Sequence, residues 1–424
     1  MKNKKLLEKI KNKKAKIGVI GLGYVGLPLA ILFAKKGFGV TGFVRTLEKA
    51  KALNNGSHHL GDTSVDKDLK EVLSKKTFLV RATNVSDLEL LDIIVICVPT
   101  PVNSDKKPDL TDLKAVGSLL SKINIENKLI VNESTVAPFT TREILGNLGK
   151  NYFLVCSPER IDPGNSLKTV ENIQKVIGGK DPESLLLGKN LYEKILNNKV
   201  VEVRSLEAAE MTKMLENTYR AVNIALINQF AKLSDKCHLD ILDIINAAQS
   251  KWSFQVHYPS LGVGGHCIPV DPYYILELAK KYKVDMKVIE NGLLENESMP
   301  SYLAEKVKNN YKKGMKVLVY GLTYKKGVND LRESPVVVFC NNLNRKGITF
   351  SVYDPLIAPS KIAELGFSPG KLEKTDLFIV GTDHEQLGID YLSAIDENTI
   401  IVDGRNFFKN KKGKEVLGIG RTLL

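Results

Sequence analysis

A chain of 424 residues is too long for one ordinary hydrophobic core, so two or three domains are expected. With 43% hydrophobic and 26% charged residues and no low-complexity tract, its composition excludes a fibrous or wholly disordered protein. The net charge of +13 is spread along the chain and not gathered with aromatics into a patch, which points to anionic small ligands and away from nucleic acid.

The basic start MKNKKLLEKIKNKKAK has no apolar h-region and reads as a short basic helix or a tail, not a signal peptide. No run is long enough to cross a membrane. Five scattered cysteines (Cys97, Cys156, Cys237, Cys267 and Cys340) form no C-x-x-C pair and no zinc spacing. No metal is therefore expected, and a cytoplasmic location is.

Lys16–Ile20 is a short apolar strand, followed by Gly21-Leu22-Gly23-Tyr24-Val25-Gly26 and then a helical pattern from Leu27 to Lys36. This is G-x-G-x-x-G in its required setting, strand before and helix after. Gly21 makes the tight turn, Gly23 admits a pyrophosphate, and Gly26 lets helix and strand pack closely. Phe38–Val44 is the second strand. Leu91–Val98 is an apolar strand running into Pro99-Thr100-Pro101, and a helix is expected over Asp112–Lys122. Strands Leu129–Asn132 and Tyr152–Cys156 lead to Glu133-Ser134-Thr135 and to Ser157-Pro158-Glu159-Arg160. Strands and helices in alternation imply a doubly wound parallel sheet, whose ligands bind at the strands' carboxyl ends.

From Leu206 to about Cys237 there is no proline or glycine, and Met211, Met214, Leu215, Val222, Leu226, Phe230 and Leu233 recur at helical spacing. One long helix is expected, suited to joining two domains and packing in a homodimer. Lys213, Asn217 and Arg220 share one face of it.

The stretch Leu261-Gly262-Val263-Gly264-Gly265-His266-Cys267 follows, then Asp271-Pro272 opening a helix from Tyr273 to Tyr282. Asp at N-cap and Pro at the first helical position is a standard start. Cys267 thus precedes a helix N-terminus, where thiolate is favoured over thiol.

The last third echoes the first. Lys316–Leu322 resembles Lys16–Leu22, Ile348–Asp354 ends in an acid, and Thr375–Thr382 and Asn398–Gly404 match later strands. The copy has Thr323 and Lys326 in place of two fingerprint glycines, so it should not bind a dinucleotide in the same way. Its basic groups Lys325, Arg332 and Arg405, read as exposed, suit another diphosphate. The fold class is therefore α/β, with two Rossmann-like doubly wound parallel-sheet domains joined by a long central helix. The expected domains are 1–205, 206–300 and 301–424.

These motifs, in this order, resemble the nucleotide-sugar 6-dehydrogenases, the UDP-glucose and UDP-N-acetylhexosamine dehydrogenases, over essentially the full length. They are GLGYVGLP at Gly21, CVPTP at Cys97, ESTV at Glu133, SPER at Ser157, EMTKMLENTYRAVNIAL from Glu210, GVGGHCIPVDP from Gly262, GLTYKK with DLRESP, and VDGR at Val402. The resemblance implies a four-electron oxidation of a sugar C6 alcohol to a carboxylate with two NAD(P). Thr135, Asp271 and Lys213 would hold the water that takes the hydroxyl proton. Cys267 would form a thiohemiacetal and then a thioester, Lys213 and Asn217 would stabilise the oxyanion, and Glu159 and Asp271 would assist hydrolysis. It implies cofactor contacts from Gly21, Gly23, Tyr24, Val25, Gly26, Pro99, Thr100, Thr135 and Arg332; Arg45 and Thr46, just past the second strand, are added from their own donor chemistry. Substrate contacts would come from Glu159, Arg160, Lys213, Asn217, Arg220, Tyr258, Gly264, Lys325 and Arg405.

SPERIDPGN and GHCIPVDPYY favour a UDP-N-acetylhexosamine, with the gluco epimer ahead of the manno, over UDP-glucose. Two readings from other classes remain: a two-electron hydroxyacid dehydrogenase, which would not need Cys267, and a non-catalytic nucleotide-binding protein. One departure from the family stands out. The acid expected at the end of the second strand is Val44, followed by Arg45 and Thr46, so NADP is expected beside NAD.

Overall fold

The computed structural model describes residues 4–58, 63–161, 169–408 and 416–423. Of the SPERIDPGN stretch, residues 162–165 lie outside the described residues. Contacts divide the chain into two compact units. The first is Met1–Glu216 with Tyr273–Tyr282; the second is Asn217–Pro272 with Lys283–Leu424.

The first unit is built on eight strands: β1 (Lys16–Ile20), β2 (Gly39–Val44), β3 (Phe78–Ala82), β4 (Ile93–Ile96), β5 (Leu129–Asn132), β6 (Phe153–Cys156), β7 (Val176–Gly179) and β8 (Val201–Val203). Their order is β3-β2-β1-β4-β5-β6-β7-β8, and every neighbouring pair is parallel except β6 with β7. The central strands read as unbroken apolar runs because both faces are covered. Alternation along β4 shows this: Ile93 and Val95 enter one buried cluster with Val19 and Val131, while Ile94 and Ile96 enter another with Ile20 and Ile130. The expected strands are present, trimmed by a residue or two at their ends. β7 and β8 were not anticipated, since Val-Ile-Gly-Gly and Val-Glu-Val are too short and too weakly apolar to register.

The second unit carries β9 (Val317–Tyr320), β10 (Ser351–Tyr353), β11 (Leu377–Val380), β12 (Ile400–Asp403), β13 (Val416–Gly418) and β14 (Arg421–Leu423). The order β10-β9-β11-β12-β13-β14 repeats the turnaround of the first sheet. The direction of winding reverses between β1 and β4 in one sheet and between β9 and β11 in the other. Each reversal opens a crevice at the strands' carboxyl ends. The helix Pro335–Arg345 starts on Ser334, whose hydroxyl accepts from Val336 N at 3.2 Å, with Pro335 in the first turn.

Leu206–Cys237 is a single helix of 32 residues, as expected. Its apolar positions divide into two sets. Met214 is fully buried, whereas Met211, Leu215, Leu226, Phe230 and Leu233 are exposed. Among the described residues no helix is long and apolar enough to cross a membrane.

Candidate active site

The turn after β1 shows why its glycines stand where they do. Gly21 has φ +92°, and a Cβ there would come within 2.5 Å of the Cys97 carbonyl oxygen on the turn after β4. A Cβ on Gly26 would fall 1.8 Å from the Gly21 oxygen, so the helix Gly26–Lys35 can begin this close only with glycine. Beside Gly23 there is nothing within 4 Å. Leu22, Tyr24 and Val25 pack into the adjoining apolar cluster.

On the neighbouring strand ends, Pro99 is exposed and Thr100 is buried. The Thr100 hydroxyl donates to the Thr135 carbonyl at 2.6 Å, and Tyr274 Oη donates to the Thr100 carbonyl at 2.8 Å. Thr100 therefore clasps two loops. Thr135 is half-buried.

Glu159 is buried and fully engaged. Its Oε1 accepts from Arg160 N at 2.7 Å and Ile161 N at 2.9 Å, and its Oε2 accepts from Lys175 Nζ at 2.8 Å. Lys175 also reaches Glu133 Oε2 at 2.6 Å, and Tyr192 Oη donates to Glu133 Oε1. Burial pushes the Glu133 carboxyl up to about 7 despite the ammonium beside it. Burial acts on Glu159 in the same sense, but Lys175, two backbone N–H groups and the charge of Lys213 outweigh it and hold its carboxyl below the usual range. Sequence reading had Glu159 and missed Lys175 and Tyr192, which lie 16 and 33 residues downstream with no motif around them. Arg160 is held by Glu216 and by the Gln174 carbonyl (Nη1 at 3.0 Å). Lys213 is half-buried on the long helix.

In the second unit the cysteine loop is tied at its start. Ser260 N donates to Asn228 Oδ1 at 2.9 Å, and Asn228 Nδ2 donates to Asn296 Oδ1 at 3.0 Å; neither asparagine was singled out from sequence. The loop glycines serve packing. A Cβ on Gly264 would meet Tyr324 Cβ at 2.6 Å and Pro335 Cδ at 2.7 Å, and one on Gly265 (φ +87°) would meet the Tyr324 ring at 2.7 Å. The space beside Gly264 is thus filled by protein.

Cys267 is exposed, and its carbonyl accepts from Val270 N at 3.1 Å and Asp271 N at 2.8 Å in the turn that feeds the helix Asp271–Tyr282. The helix begins at Asp271 itself, one residue earlier than an N-cap reading implies. Burial pushes the thiols of Cys97, Cys156 and Cys340 up, so these three are inert. Asn217, buried on the long helix, donates its Nδ2 to Asp271 Oδ2, and both side chains are nearly inaccessible. His266, also partly buried, has its imidazole pKa lowered by burial first and by the Arg332 charge second. Arg220 and Tyr258 are exposed.

The basic groups near the second sheet differ from expectation. Arg405 is not exposed: its guanidinium donates to the Gly381 carbonyl at 2.9 Å and the Tyr324 carbonyl at 2.8 Å, bracing two loops. Arg332 is half-exposed but forked onto Asp330, with Nη2 at 2.6 Å, and Lys325 is half-buried. Asp354, just past β10, accepts from Leu322 N at 2.6 Å and Thr323 N at 3.3 Å. A carboxylate of the protein thus occupies the backbone donors of the second turn, and the missing glycines have a physical counterpart.

Open space beside Gly23, next to a turn whose other two glycines admit no side chain, is what a dinucleotide pyrophosphate requires at a switch point. The class is a dinucleotide-binding protein. Family models match three consecutive segments: the NAD binding domain of the UDP-glucose/GDP-mannose dehydrogenase family over residues 15–196, its central domain over 207–298 and its UDP binding domain over 318–410. The chain is 33% identical to the UDP-N-acetyl-D-mannosamine dehydrogenase of Pyrococcus horikoshii, covering 96% of this chain and 99% of that one. It is 35% identical to the UDP-N-acetyl-D-glucosamine 6-dehydrogenase of Pseudomonas aeruginosa, over 84% and 87%. The solved UDP-D-ManNAc dehydrogenase structure from P. horikoshii superposes with a TM-score of 0.85 at 33% identity, covering 96% of this chain and 99% of that one. The chain belongs to the UDP-glucose/GDP-mannose dehydrogenase family and is an NAD-dependent nucleotide-sugar dehydrogenase acting on a sugar CH–OH.

Proposed function

We propose that the chain oxidises the C6 alcohol of a UDP-N-acetylhexosamine, in the gluco or manno configuration, to the uronate through a thioester on Cys267. The observation that carries this reading is the pairing of an exposed Cys267, at the turn into the helix Asp271–Tyr282, with a buried Asn217–Asp271 pair at that helix's first residue. When bound, the dinucleotide supplies the acceptor for one hydride in each of two oxidations, held by the Gly21–Gly26 turn. After the first oxidation the Cys267 thiolate adds to the aldehyde carbon, forming a C–S bond and an alkoxide. The second amide hydrogen of Asn217 suits that oxyanion, the first being committed to Asp271. Loss of hydride leaves a thioester. Water, deprotonated toward Asp271, then adds, the C–S bond breaks, and the thiolate returns as the carboxylate leaves. The net change is alcohol plus water plus two oxidised cofactors to carboxylate, two reduced cofactors and three protons. The roles of Thr135, Lys213 and Glu159 rest on the family resemblance alone.

The test is to mix the protein with UDP-N-acetylglucosamine, UDP-N-acetylmannosamine and UDP-glucose and follow the reduced-nicotinamide band. Two reduced cofactors per N-acetylhexosamine are expected, with no uronate from Cys267→Ala. One per sugar, or near-wild-type uronate from the variant, refutes the thioester route; UDP-glucose as the preferred sugar refutes the substrate.

The same reading gives a cytoplasmic homodimer. Tyr219, Leu226, Phe230 and Leu233 are 43%, 49%, 50% and 58% exposed on one helix, an apolar stripe that a second copy would cover.

A further inference from the structure

The strand end that usually aims a carboxylate at the adenosine ribose is apolar in this chain. Ile20 pairs with Phe43, and Gly21 N donates to the Phe43 carbonyl at 3.0 Å, so Val44 lies immediately beside the glycine turn. Its side chain is buried in the same apolar cluster as Leu22, with Tyr24 packed against it. A valine there accepts no hydrogen bond from ribose hydroxyls and has no charge to repel a phosphate.

The next two residues supply what the valine lacks. Arg45 carries its side chain 71% exposed, and among the described residues its ion-pair partner is Asp112, in the first turn of the helix Thr111–Leu120. That pairing draws on Nη2 and leaves the rest of the five-donor guanidinium fork open to a second anion. The Thr46 oxygen accepts from Lys49 N at 3.3 Å and caps the helix Leu47–Asn54, and its O–H can still donate. Arg81, within β3 on the neighbouring strand, is tied to Asp87. Arg45 is therefore the group placed to meet a phosphomonoester at the end of β2.

We propose that Val44 and Arg45 form a subsite for the 2′-phosphate of NADP, so that this chain binds NADP at least as tightly as NAD. The proposal rests on the dinucleotide-binding assignment of the first unit and is independent of which sugar is oxidised. Arg45 forms charge-assisted hydrogen bonds to the phosphate, and Asp112 orients the guanidinium in the free protein and shares it in the complex. Without the phosphate, NAD gains nothing from Arg45 and finds no acceptor at Val44.

The experiment is fluorescence titration of substrate-free full-length protein with NADPH and with NADH, for wild type, Arg45→Ile and Val44→Asp. Wild type is expected to bind NADPH at least as tightly as NADH. Arg45→Ile should weaken NADPH about tenfold or more and leave NADH within about twofold. Val44→Asp should reverse the preference; because Val44 is buried, wild type and the exposed Arg45→Ile variant decide the matter if it fails to fold. Tenfold tighter NADH binding by wild type, or equal weakening of both cofactors by Arg45→Ile, overturns the subsite. Binding of neither cofactor overturns the dinucleotide assignment as well.

Discussion

Lys175 donates to Glu159 at 2.8 Å in a pocket that leaves the lysine 1% exposed. A buried ammonium of this kind is stable only because carboxylates flank it, Glu159 on one side and Glu133 on the other. The two acids do not behave alike, since Glu133 is pushed up to about 7 while Glu159 is held below its usual range.

Lys175→Met should destabilise the protein by about 3–5 kcal/mol, because it strands Glu159 and Glu133 as buried acids without a counter-charge. Urea unfolding near neutral pH measures this. A loss under about 1 kcal/mol would show that the cluster readjusts freely.

Glu210 gives a pH signature. Its carboxylate caps a turn by accepting from Phe139 N and Thr141 N, each at 2.8 Å, and burial pushes its pKa from 4.5 to about 7. The folded state then keeps a proton that the unfolded state loses, so this group's contribution is present below pH 4.5 and is lost as pH rises to 7. That loss is about 3 kcal/mol at most, and Glu133 adds to it in the same direction. Glu210→Gln should be uniformly less stable at low pH but lose less between pH 5 and pH 7. Unfolding curves at several pH values with equal slopes for both proteins would contradict it.

Two glycines should respond in opposite ways to alanine. At Gly264 the new methyl would stand 2.6 Å from Tyr324 Cβ, so about 1–3 kcal/mol of stability should be lost. At Gly23 there is nothing within 4 Å, so Gly23→Ala should fold normally and lose cofactor affinity. Thermal unfolding with a cofactor titration separates the two cases, and a stability loss at Gly23 matching that at Gly264 would refute the distinction.

The exposed stripe on the long helix predicts assembly. Light scattering of the wild type should report a dimer, and Phe230→Glu should shift it toward monomer, since a buried unpaired carboxylate opposes the interface. A wild-type protein that is monomeric and active at micromolar concentration would rule this out.

Much of the molecule could be read from residues that act through backbone geometry or local periodicity. The Gly21–Gly26 turn, the runs of β4 and β5, the helix Leu206–Cys237 and the second copy beginning at Lys316 each show as a pattern within a short stretch of sequence. Cys267 stood out because its glycines and the Asp-Pro helix start are neighbours in sequence. Contacts between distant segments were decided only by the tertiary structure. Lys175 meets Glu133 across 42 residues and Asn217 meets Asp271 across 54, and no spacing rule links such positions. The same holds for Arg405, which composition marks as a surface cation, though folding aims it at the carbonyls of Gly381 and Tyr324. Sequence supplies residue chemistry and local geometry. Which charge is neutralised, which glycine is packed and which remains open to a ligand depends on what the rest of the chain places beside it.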